Sequence, residues 1–470
     1  MKSVAIIGGG ITGLTAAFRL KEKGFTVVLY EASERVGGVI QSIRKDGFRA
    51  EFGPNTILET SPVITQLVKD LGLAPRRLET DPRAGERYLV RDKKTVALPD
   101  SPLAFFKTRL FSTSTKLRLF IEPFISCAPA DLDEPLSEFV LRRLGREFLD
   151  YAINPMVAGV YAGDPTRLSV RHAFPKLWAL EQRYGSMILG QILGARERKR
   201  RGGVSKANAP KFSFDNGLSV LVETLQARLG NSVRLASPAH RVTRKNGRWT
   251  VIAQTVNGET QAAYDAVVLA APAYKLAELD IQASQRVDLS VLREIYYPPV
   301  ASIVLGYRRA DVSHPCLGFG MLIPEVEKCN SLGVIFSSAL FPNRAPEGHI
   351  TLTCYIGGAR APGLVALDND KLFALAGQDI ATVLGATRPP VFQHLTKYNK
   401  AIPQYNVGYG RFKAVMSDAE AQAPGLFFAG HYRDGISLGD SLVSGHEIAN
   451  RIHEAFNLTA WNVSLVKPQI

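Results

Sequence analysis

The distribution of apolar and polar residues over the first forty positions predicts a strand, a tight turn, a helix and a second strand. Residues 4–7 are all apolar, as in a strand that is buried on both faces. Residues 8–13 are rich in glycine, and residues 14–20 carry apolar side chains at helical spacing. A second apolar run then ends at Glu31. Strands and helices that alternate in this way are typical of a parallel sheet in an α/β domain.

Further along the chain the pattern becomes helical. Two short alternating runs, at 87–91 and 95–98, first predict a hairpin. From 101 to about 206 the periodicity predicts helices with few strands, and one apolar face carries Leu136, Phe139, Val140, Leu144, Phe148, Leu149 and Ala152. Residues 154–165 contain too much glycine and proline to continue a helix, so we predict an ordered loop there.

Mixed patterns follow the helical region. A helix is predicted near 218–229, and several antiparallel strands are predicted between 295 and 400. The apolar run at 266–272 has the composition of a central parallel strand. Near the end of the chain, a strand at 425–430 leads into a helix predicted from about 439 to 456.

Composition adds one unusual feature, an excess of basic residues. The chain has 470 residues, a mean hydropathy of 0.00 and a formal net charge of +14. Residues 171–211 contain ten Lys or Arg against two acidic residues, so more than half of the excess lies in one segment. Clustered positive charge predicts an anionic partner. Because no nucleic-acid-binding module accompanies the cluster, we expect anionic lipid rather than nucleic acid.

Other features narrow the class of protein. No apolar run reaches the length of about 18 residues that a spanning helix needs, and the strand that begins at residue 4 leaves no room for a cleavable signal peptide. Four cysteines, Cys127, Cys316, Cys329 and Cys354, show no C-x-x-C spacing, and no histidines are spaced like metal ligands. We therefore expect reduced, buried thiols and no metal site.

The glycine-rich turn has the spacing of a dinucleotide-binding motif. Gly8, Gly10 and Gly13 form G-x-G-x-x-G between a strand and a helix. In this motif they provide, in order, the tight turn, the close approach of backbone to a pyrophosphate, and the packing of helix on strand. The helix N-terminus presents N–H groups to the phosphates. Glu31 lies about twenty residues downstream, where an acidic side chain meets a ribose hydroxyl.

A second glycine pair follows in Arg35-Val36-Gly37-Gly38. It resembles the motif with which amine-oxidase-like flavoproteins cover a pyrophosphate, so the resemblance implies non-covalent FAD rather than NAD. The predicted C-terminal helix offers free N–H groups to the negative charge of a reduced flavin. The candidate cofactor-binding residues, of which Val242 matches the adenine contact, are Gly8, Gly10, Ile11, Thr12, Gly13, Glu31, Ala32, Arg35, Gly37, Gly38, Gly53, Pro54, Asn55, Val242, Gly430, Ser441, Leu442 and Val443.

Five internal motifs narrow the resemblance to the oxygen-dependent protoporphyrinogen oxidases. They begin at Gly159, Gly318, Phe336, Gly357 and Ala401. Since they are far apart, the resemblance extends over the whole chain.

The resemblance implies roles for five residues. Arg87 matches the arginine that binds a substrate propionate, and Leu322 and Ile335 match residues that sandwich the tetrapyrrole. Tyr355 stands where a phenylalanine usually stacks on a pyrrole ring, and Gly159, the candidate catalytic residue, matches a glycine near the flavin and the reacting carbon. Without the resemblance, Leu322 and Ile335 would suit plain core packing and Arg87 a solvated hairpin charge. No histidine is assigned a catalytic role.

Together these observations predict an α/β (α+β) fold with three domains. A Rossmann-type FAD-binding domain is expected from 1–83, 212–283 and 415–460, and a mixed-sheet substrate domain from 84–100 and 284–414. A helical, membrane-associating insertion is expected from 101–211. The implied activity is the FAD-dependent six-electron oxidation of protoporphyrinogen IX to protoporphyrin IX, with dioxygen as acceptor and hydrogen peroxide as product, in haem biosynthesis.

Three alternatives stay open: coproporphyrinogen III oxidation by the same fold, another amine-oxidase-like activity, and a flavin-containing module without turnover. The expected partners are a tetrapyrrole, dioxygen and an anionic membrane surface, and a homodimer is left open. For a bacterial protein the expected location is peripheral, on the cytoplasmic face of a membrane. The candidates for membrane contact are Phe105, Phe106, Leu110 and Phe111 in the bilayer and Arg196, Arg198, Lys199, Arg200 and Arg201 at the headgroups.

Overall fold

The first layer of the fold is a parallel five-stranded sheet. The computed structural model describes residues 1–200 and 209–465, with side chains for all of these but 195–200 and 458–465. All four pairings in this sheet are parallel, which confirms the predicted α/β character. Its strands, in spatial order, are Val233–Arg234, Thr26–Tyr30, Ser3–Ile7, Ala266–Leu269 and Leu426–Phe428.

Helices cover both faces of this sheet. On one face, Leu14, Leu67, Leu225 and Ile448 share a buried core with the strands; they belong to the helices Ile11–Glu22, Pro62–Asp70, Ser219–Leu229 and Leu438–Leu465. On the other face, Met416 of helix Gly410–Gln422 packs in a second core. The short helix Ala273–Leu276 also contributes to this core.

Smaller sheets extend this layer. An antiparallel sheet, which contains one parallel pair, is formed by Gly258–Tyr264, Arg248–Thr255, Ala239–Lys245, Asp280–Gln282 and Arg286–Val287. A three-stranded sheet is formed by Ile57–Leu58, Lys211–Phe214 and Arg77–Glu79. Ser42–Lys45 and Phe48–Glu51 form a hairpin beside the glycine-rich loops.

A seven-stranded mixed sheet forms the second layer. Its strands, in spatial order, are Phe392–Tyr398, Val300–Arg308, His349–Gly357, Ser331–Ile335, Gly320–Leu322, Arg87–Arg91 and Lys94–Ala97. The predicted hairpin of residues 87–98 is therefore confirmed, and it joins strands from much later in the chain through a parallel pairing with Gly320–Leu322. Helix Asn369–Leu384 packs on one face of the sheet through Leu372, Ala376 and Ile380. A short helix, Ser337–Leu340, follows Ser331–Ile335.

Between residues 101 and 200 the structure is helical. The helices are Pro102–Lys107, Thr113–Ile121, Leu136–Arg143, Arg146–Phe148, Asn154–Tyr161, Val170–Ala173, Pro175–Tyr184 and Met187–Arg200, with a π-helical turn at Leu149–Ile153. The prediction of a loop at 154–165 is wrong for its first eight residues. Pro155 is the second residue of helix Asn154–Tyr161 and lies directly after the π-helical turn Leu149–Ile153, where the regular α-helical hydrogen-bond ladder is already interrupted, so its missing N–H is tolerated.

Two further predictions are wrong in this region. Leu110 and Phe111 are buried rather than exposed, because they pack against Leu89 of the seven-stranded sheet. Cys127 is exposed, whereas Cys316 and Cys354 are buried as predicted. Of the predicted headgroup contacts, Arg201 lies outside the described residues, and so do the side chains of Arg196, Arg198, Lys199 and Arg200. Among the described helices, none is both long enough and apolar enough to cross a bilayer.

Candidate active site

The first glycine-rich loop leaves space at the position that the motif requires. Gly8 adopts a φ of 115°, and a Cβ there would lie 2.6 Å from the backbone of Ala271, so only glycine fits the turn. A Cβ on Gly13 would collide with the carbonyl oxygen of Gly8. A Cβ on Gly10, in contrast, would meet nothing within 4 Å. The loop is therefore packed tightly on its inner side and is open at Gly10.

The N-terminus of the helix that follows Gly10 is suited to binding an anion. No side chain caps its N-terminus, and its first turn contains no acidic residue. Its unpaired N–H groups therefore face the open space. The side chain of Ile11 is buried in the core, so Ile11 could contact a cofactor only through its backbone. Thr12 donates a hydrogen bond of 3.1 Å to the carbonyl of Ser441, which links this helix to the C-terminal helix.

The second glycine pair closes the other side of the same space. Gly37 donates a hydrogen bond of 2.8 Å to the carbonyl of Gly9, and a Cβ on Gly38 would lie 3.7 Å from the Cα of Gly10. Arg35 donates to the carbonyl of Gly38 at 2.6 Å, so it braces this loop. The two loops form a cradle of backbone with no side chain on its inner faces. A pyrophosphate fits such a cradle, and the residues present are therefore compatible with FAD.

The acidic residue of the motif lies beside this cradle. Glu31 accepts hydrogen bonds from the N–H of Gly9 at 2.7 Å and from the N–H of Ser33 at 2.8 Å. It lies at the end of strand Thr26–Tyr30 and is followed by the exposed Ala32. A carboxylate there is suited to a ribose hydroxyl. Val242 is fully buried in the second core, so only its backbone could contact an adenine.

The C-terminal helix begins at Leu438, a residue earlier than the predicted start near 439. Gly430 has a φ of 131°, and its N–H donates to the hydroxyl of Ser444 at 2.9 Å. This bond holds the end of strand Leu426–Phe428 against the first turns of the helix. The side chain of Leu442 is buried in the core, and that of Val443 is partly buried against the same core.

A chain of contacts joins the cradle to the seven-stranded sheet. A Cβ on Gly53 would lie 3.0 Å from the carbonyl oxygen of Val39, the residue that follows the second glycine pair. The hydroxyl of Tyr355 donates to the carbonyl of Gly53 at 3.0 Å and accepts from the side-chain amide of Asn55 at 2.8 Å. Pro54, between them, is partly buried. Residues 53–55 thus connect the predicted cofactor loops to the sheet that carries Tyr355.

The predicted substrate residues share one face of the sheet. Strand register aligns Arg87, Gly320, Ile335 and Thr353 in one row. Two positions along, it aligns Leu89, Leu322, Gly333 and Tyr355 in a second row. Positions two apart on a strand point to the same side. The opposite face, with Met321, Val334 and Cys354, is covered by helix Asn369–Leu384.

Helix Asn154–Tyr161 covers part of this face. A Cβ on Gly159 would collide with the Cδ2 atom of Leu322, so the backbone of Gly159 lies directly on that side chain. Arg360 holds the start of the helix, because it donates to the side chain of Asn154 and to the carbonyl of Ile323, both at 3.0 Å. Leu322, Ile335 and Tyr355 lie on the sheet face that this helix partly covers, and the exposed Arg87 lies on the same face; we refer to this surface as the slot.

The slot is electrostatically simple. Burial raises the pKa of Tyr355, so its hydroxyl stays protonated at neutral pH. Burial lowers the pKa of His431 to about 4, so this residue, next to Gly430, is neutral at pH 7. Arg87 supplies a positive charge at the edge of this face. A cation beside apolar side chains is suited to an apolar ligand that carries a carboxylate.

Some residues of the slot escaped the sequence analysis. Gly333 lies between Leu322 and Tyr355 in the same row, and a Cβ there would lie 3.3 Å from the Cδ2 atom of Leu322, so the side chain of Leu322 packs closely over this glycine. A glycine inside a strand was the available signal, since it marks a close approach. Phe319, which packs beside Ile335, lies within the motif that begins at Gly318, and Lys211, which lies near its ring, was counted in the basic segment, but neither was assigned to the site.

Comparison with known proteins gives the family to which the chain belongs. The family model for flavin containing amine oxidoreductases matches residues 11–453. Protoporphyrinogen oxidase 2, chloroplastic/mitochondrial, of Arabidopsis thaliana is 33% identical over 477 residues, which cover 96% of this chain and 94% of that protein. Coproporphyrinogen III oxidase of Bacillus subtilis (strain 168) is 30% identical over 460 residues, which cover 94% of this chain and 96% of that protein.

Solved structures agree on the fold. A crystal structure from Exiguobacterium sp. 255-15, of a protein provisionally assigned as a protoporphyrinogen oxidase, superposes with a TM-score of 0.80 at 24% identity and covers 97% of this chain and 99% of its own. Since the family model spans nearly all of the chain, the predicted resemblance to amine-oxidase-like flavoproteins is confirmed. The chain belongs to the flavin-containing amine oxidoreductase family.

Proposed function

We propose that this protein is a porphyrinogen oxidase that converts protoporphyrinogen IX to protoporphyrin IX. Six hydrogens leave the substrate, and three molecules of dioxygen accept them to give three of hydrogen peroxide. The observation that carries the proposal is the shared sheet face of Arg87, Leu322, Ile335 and Tyr355, which places one cation beside two aliphatic side chains and one aromatic side chain. The names of the full-length relatives support the same class of substrate.

In this proposal the residues of the chain itself bind the substrate and orient it. When bound, FAD supplies the oxidising chemistry. Leu322, Ile335 and Tyr355 would contact the macrocycle along one face of the sheet, and the backbone of Gly159, which lies directly on Leu322, would bound this surface on the side of helix Asn154–Tyr161. Arg87 sets its rotation through a bidentate bond to a propionate. Each two-electron oxidation removes a hydride and a proton from the macrocycle; the hydride would pass to FAD, the proton would pass to solvent, and none of the proposed substrate-binding residues is assigned as a general base.

Coproporphyrinogen III is the second candidate substrate, because the relative from Bacillus subtilis bears that name at 30% identity. The purified holoenzyme is incubated in air with each porphyrinogen, and the appearance of porphyrin fluorescence is followed. We expect kcat/KM to be higher for protoporphyrinogen IX. A higher value for coproporphyrinogen III reverses the assignment, and no oxidation of either above the rate without enzyme contradicts the oxidase function.

The same proposal includes a peripheral contact with an anionic membrane through the helical region. The support is a set of exposed apolar side chains on and just after helices Pro102–Lys107 and Thr113–Ile121, namely Leu103, Phe106, Leu117, Phe120, Ile121 and Phe124. Phe124 is 86% exposed. Clustered apolar side chains of this size on a surface mark an interaction site. Leu110 and Phe111 are no longer candidates, because they are buried.

A further inference from the structure

Two basic side chains from distant parts of the chain meet at the ring of Phe319. The guanidinium carbon of Arg87 lies 5.9 Å from the ring centroid, and the ammonium nitrogen of Lys211 lies 6.0 Å from it. Phe319 packs beside Ile335, which is a wall of the slot. Both charges therefore lie at the same edge of the slot. An aromatic ring attracts a cation, but it does not neutralise the charge of Lys211.

Lys211 reaches this edge from a different layer of the fold. Its strand, Lys211–Phe214, pairs with Ile57–Leu58 and Arg77–Glu79 beside the parallel sheet. The ammonium group of Lys211 lies near the ring of Phe319, the residue directly before strand Gly320–Leu322. One of the ten basic residues counted in 171–211, Lys211, therefore lies beside the slot.

The surroundings of Lys211 favour an anion. Its hydrogen-bond partner among the described residues is the carbonyl of Ala209, at 3.5 Å, and no carboxylate in the described part of the chain pairs with it. Burial, and then the charge of Arg87, lower the pKa of Lys211. A partly buried ammonium without a counterion is unfavourable. A carboxylate placed beside it would offset both effects.

We propose that Lys211 binds a second carboxylate of the substrate, next to the one that Arg87 binds. The inference rests on the proposed function and deepens it, because it requires a macrocycle with two carboxylates on neighbouring positions of its rim. The two propionates of protoporphyrinogen IX occupy neighbouring pyrrole rings, so each could meet one cation. The apolar walls Leu322, Ile335 and Tyr355 then face the part of the macrocycle that carries no carboxylate.

Esters of the porphyrin test this inference directly. Protoporphyrin IX and its dimethyl ester, both in detergent, are titrated into holoenzyme, and quenching of protein fluorescence gives Kd. Lys211→Met should weaken binding of the free acid about 10-fold, as expected for one lost charge-assisted bond. The same change should leave binding of the ester within about twofold, because the ester has no charge to lose. Lys211→Arg should retain most of the affinity for the acid.

The matched control is Lys275→Met, which removes an exposed lysine that pairs with Glu278 on the surface. Flavin content and thermal unfolding show that each variant folds. If Lys211→Met weakens acid and ester equally, or weakens neither, the second carboxylate site is refuted. Because the binding assay needs no turnover, it tests the Lys211 site independently of the proposed oxidase function. If Lys211→Met weakens binding of the acid selectively but the protein oxidises no porphyrinogen, the Lys211 site is supported and the oxidase function is contradicted. If the protein oxidises porphyrinogen but Lys211→Met does not change binding, the oxidase function is supported and the Lys211 site is contradicted.

Discussion

Gly10 and Gly13 belong to one motif but differ in what surrounds them, and this difference can be tested. Gly10→Val should give a stable protein without FAD, because the side chain enters open space where the pyrophosphate would lie. Gly13→Val should destabilise the fold itself, because its side chain meets the backbone of Gly8. The measurements are flavin per protein and the urea midpoint of the apoproteins. A Gly10→Val protein that retains FAD contradicts the cradle.

Arg87 tests the orientation of the substrate. Arg87→Ala should raise KM about 10- to 100-fold, equivalent to about 1.5–3 kcal/mol for a hydrogen bond to a charged group. The effect on kcat should be smaller, since Arg87 is proposed to bind a propionate at the rim of the substrate and not the reacting carbon. Steady-state kinetics with protoporphyrinogen IX measure both values. Arg83→Ala, which removes a nearby exposed arginine, is the control; an unchanged KM in Arg87→Ala contradicts the proposed contact.

The helices of the insertion are attached to the sheet by a carboxylate. Glu147 accepts from the N–H of Ser112 at 2.9 Å and pairs with Arg91 at 2.9 Å, so it links helix Thr113–Ile121 to strand Arg87–Arg91. Burial opposes the ionised form, but hydrogen bonds from Ser112, Thr115 and Arg91 hold the pKa of Glu147 at about 2.

This low pKa predicts a dependence on pH. A carboxyl whose pKa is lowered on folding stabilises the fold above its ordinary value of 4.5, and the contribution is lost as pH falls from there toward about 2. Glu147→Gln should therefore cost on the order of 1 kcal/mol at pH 7 and progressively less below pH 4.5. Urea denaturation over a pH series measures the difference. Glu138→Gln, at an exposed position, is the control; a difference that does not shrink in acid contradicts the argument.

The exposed apolar side chains of the insertion give a separate prediction. Phe120→Ser combined with Phe124→Ser should lower binding to anionic vesicles at least about 10-fold, since burial of each phenylalanine contributes about 1.5–3 kcal/mol. Flavin content should not change. Val256→Ser, on a distant hairpin where Val256 is 88% exposed, should have no effect. Equal binding by wild type and the double variant would remove these helices from the contact.

The basic run is tested in the same assay. Replacement of Arg196, Arg198, Lys199, Arg200 and Arg201 by Ser should also weaken binding to anionic vesicles, because each basic residue near such a surface contributes about 1 kcal/mol. High salt should mimic the substitution. If the five-Ser variant binds like wild type at low salt, the apolar helices alone make the contact.

The strands of the five-stranded parallel sheet come from three distant parts of the chain. These are positions 3–30, 233–269 and 426–428, so no continuous segment can form the sheet. A ligand that bridges the glycine loops and the C-terminal helix should therefore stabilise the entire protein. FAD added to the apoprotein at about 100 times its Kd should add about 2.7 kcal/mol to the free energy of unfolding. Thermal unfolding measures this, and an equal effect of NAD would contradict the assignment of FAD.

Much of the cofactor site could be predicted because its elements are local. The strand, the glycine turn, the helix and Glu31 lie within 31 residues, and each glycine has a backbone requirement that the motif states. The α/β pattern and the antiparallel strands were likewise evident from periodicity. The prediction of a loop at 154–165 was wrong because composition alone cannot show that a helix begins at Asn154, directly after a π-helical turn.

The sequence by itself therefore determined the strands and helices, the glycine loops and, through family resemblance, the candidates Arg87, Leu322, Ile335, Tyr355 and Gly159. Only the tertiary structure decided what each one faces. The sequence shows that Leu110 and Phe111 are apolar, but it does not show that Leu89 of the seven-stranded sheet packs against them. Net charge counts Lys211 but cannot place it beside Phe319. The physical reason is that side-chain partners are set by pairings between distant strands, and local chain geometry does not encode those pairings.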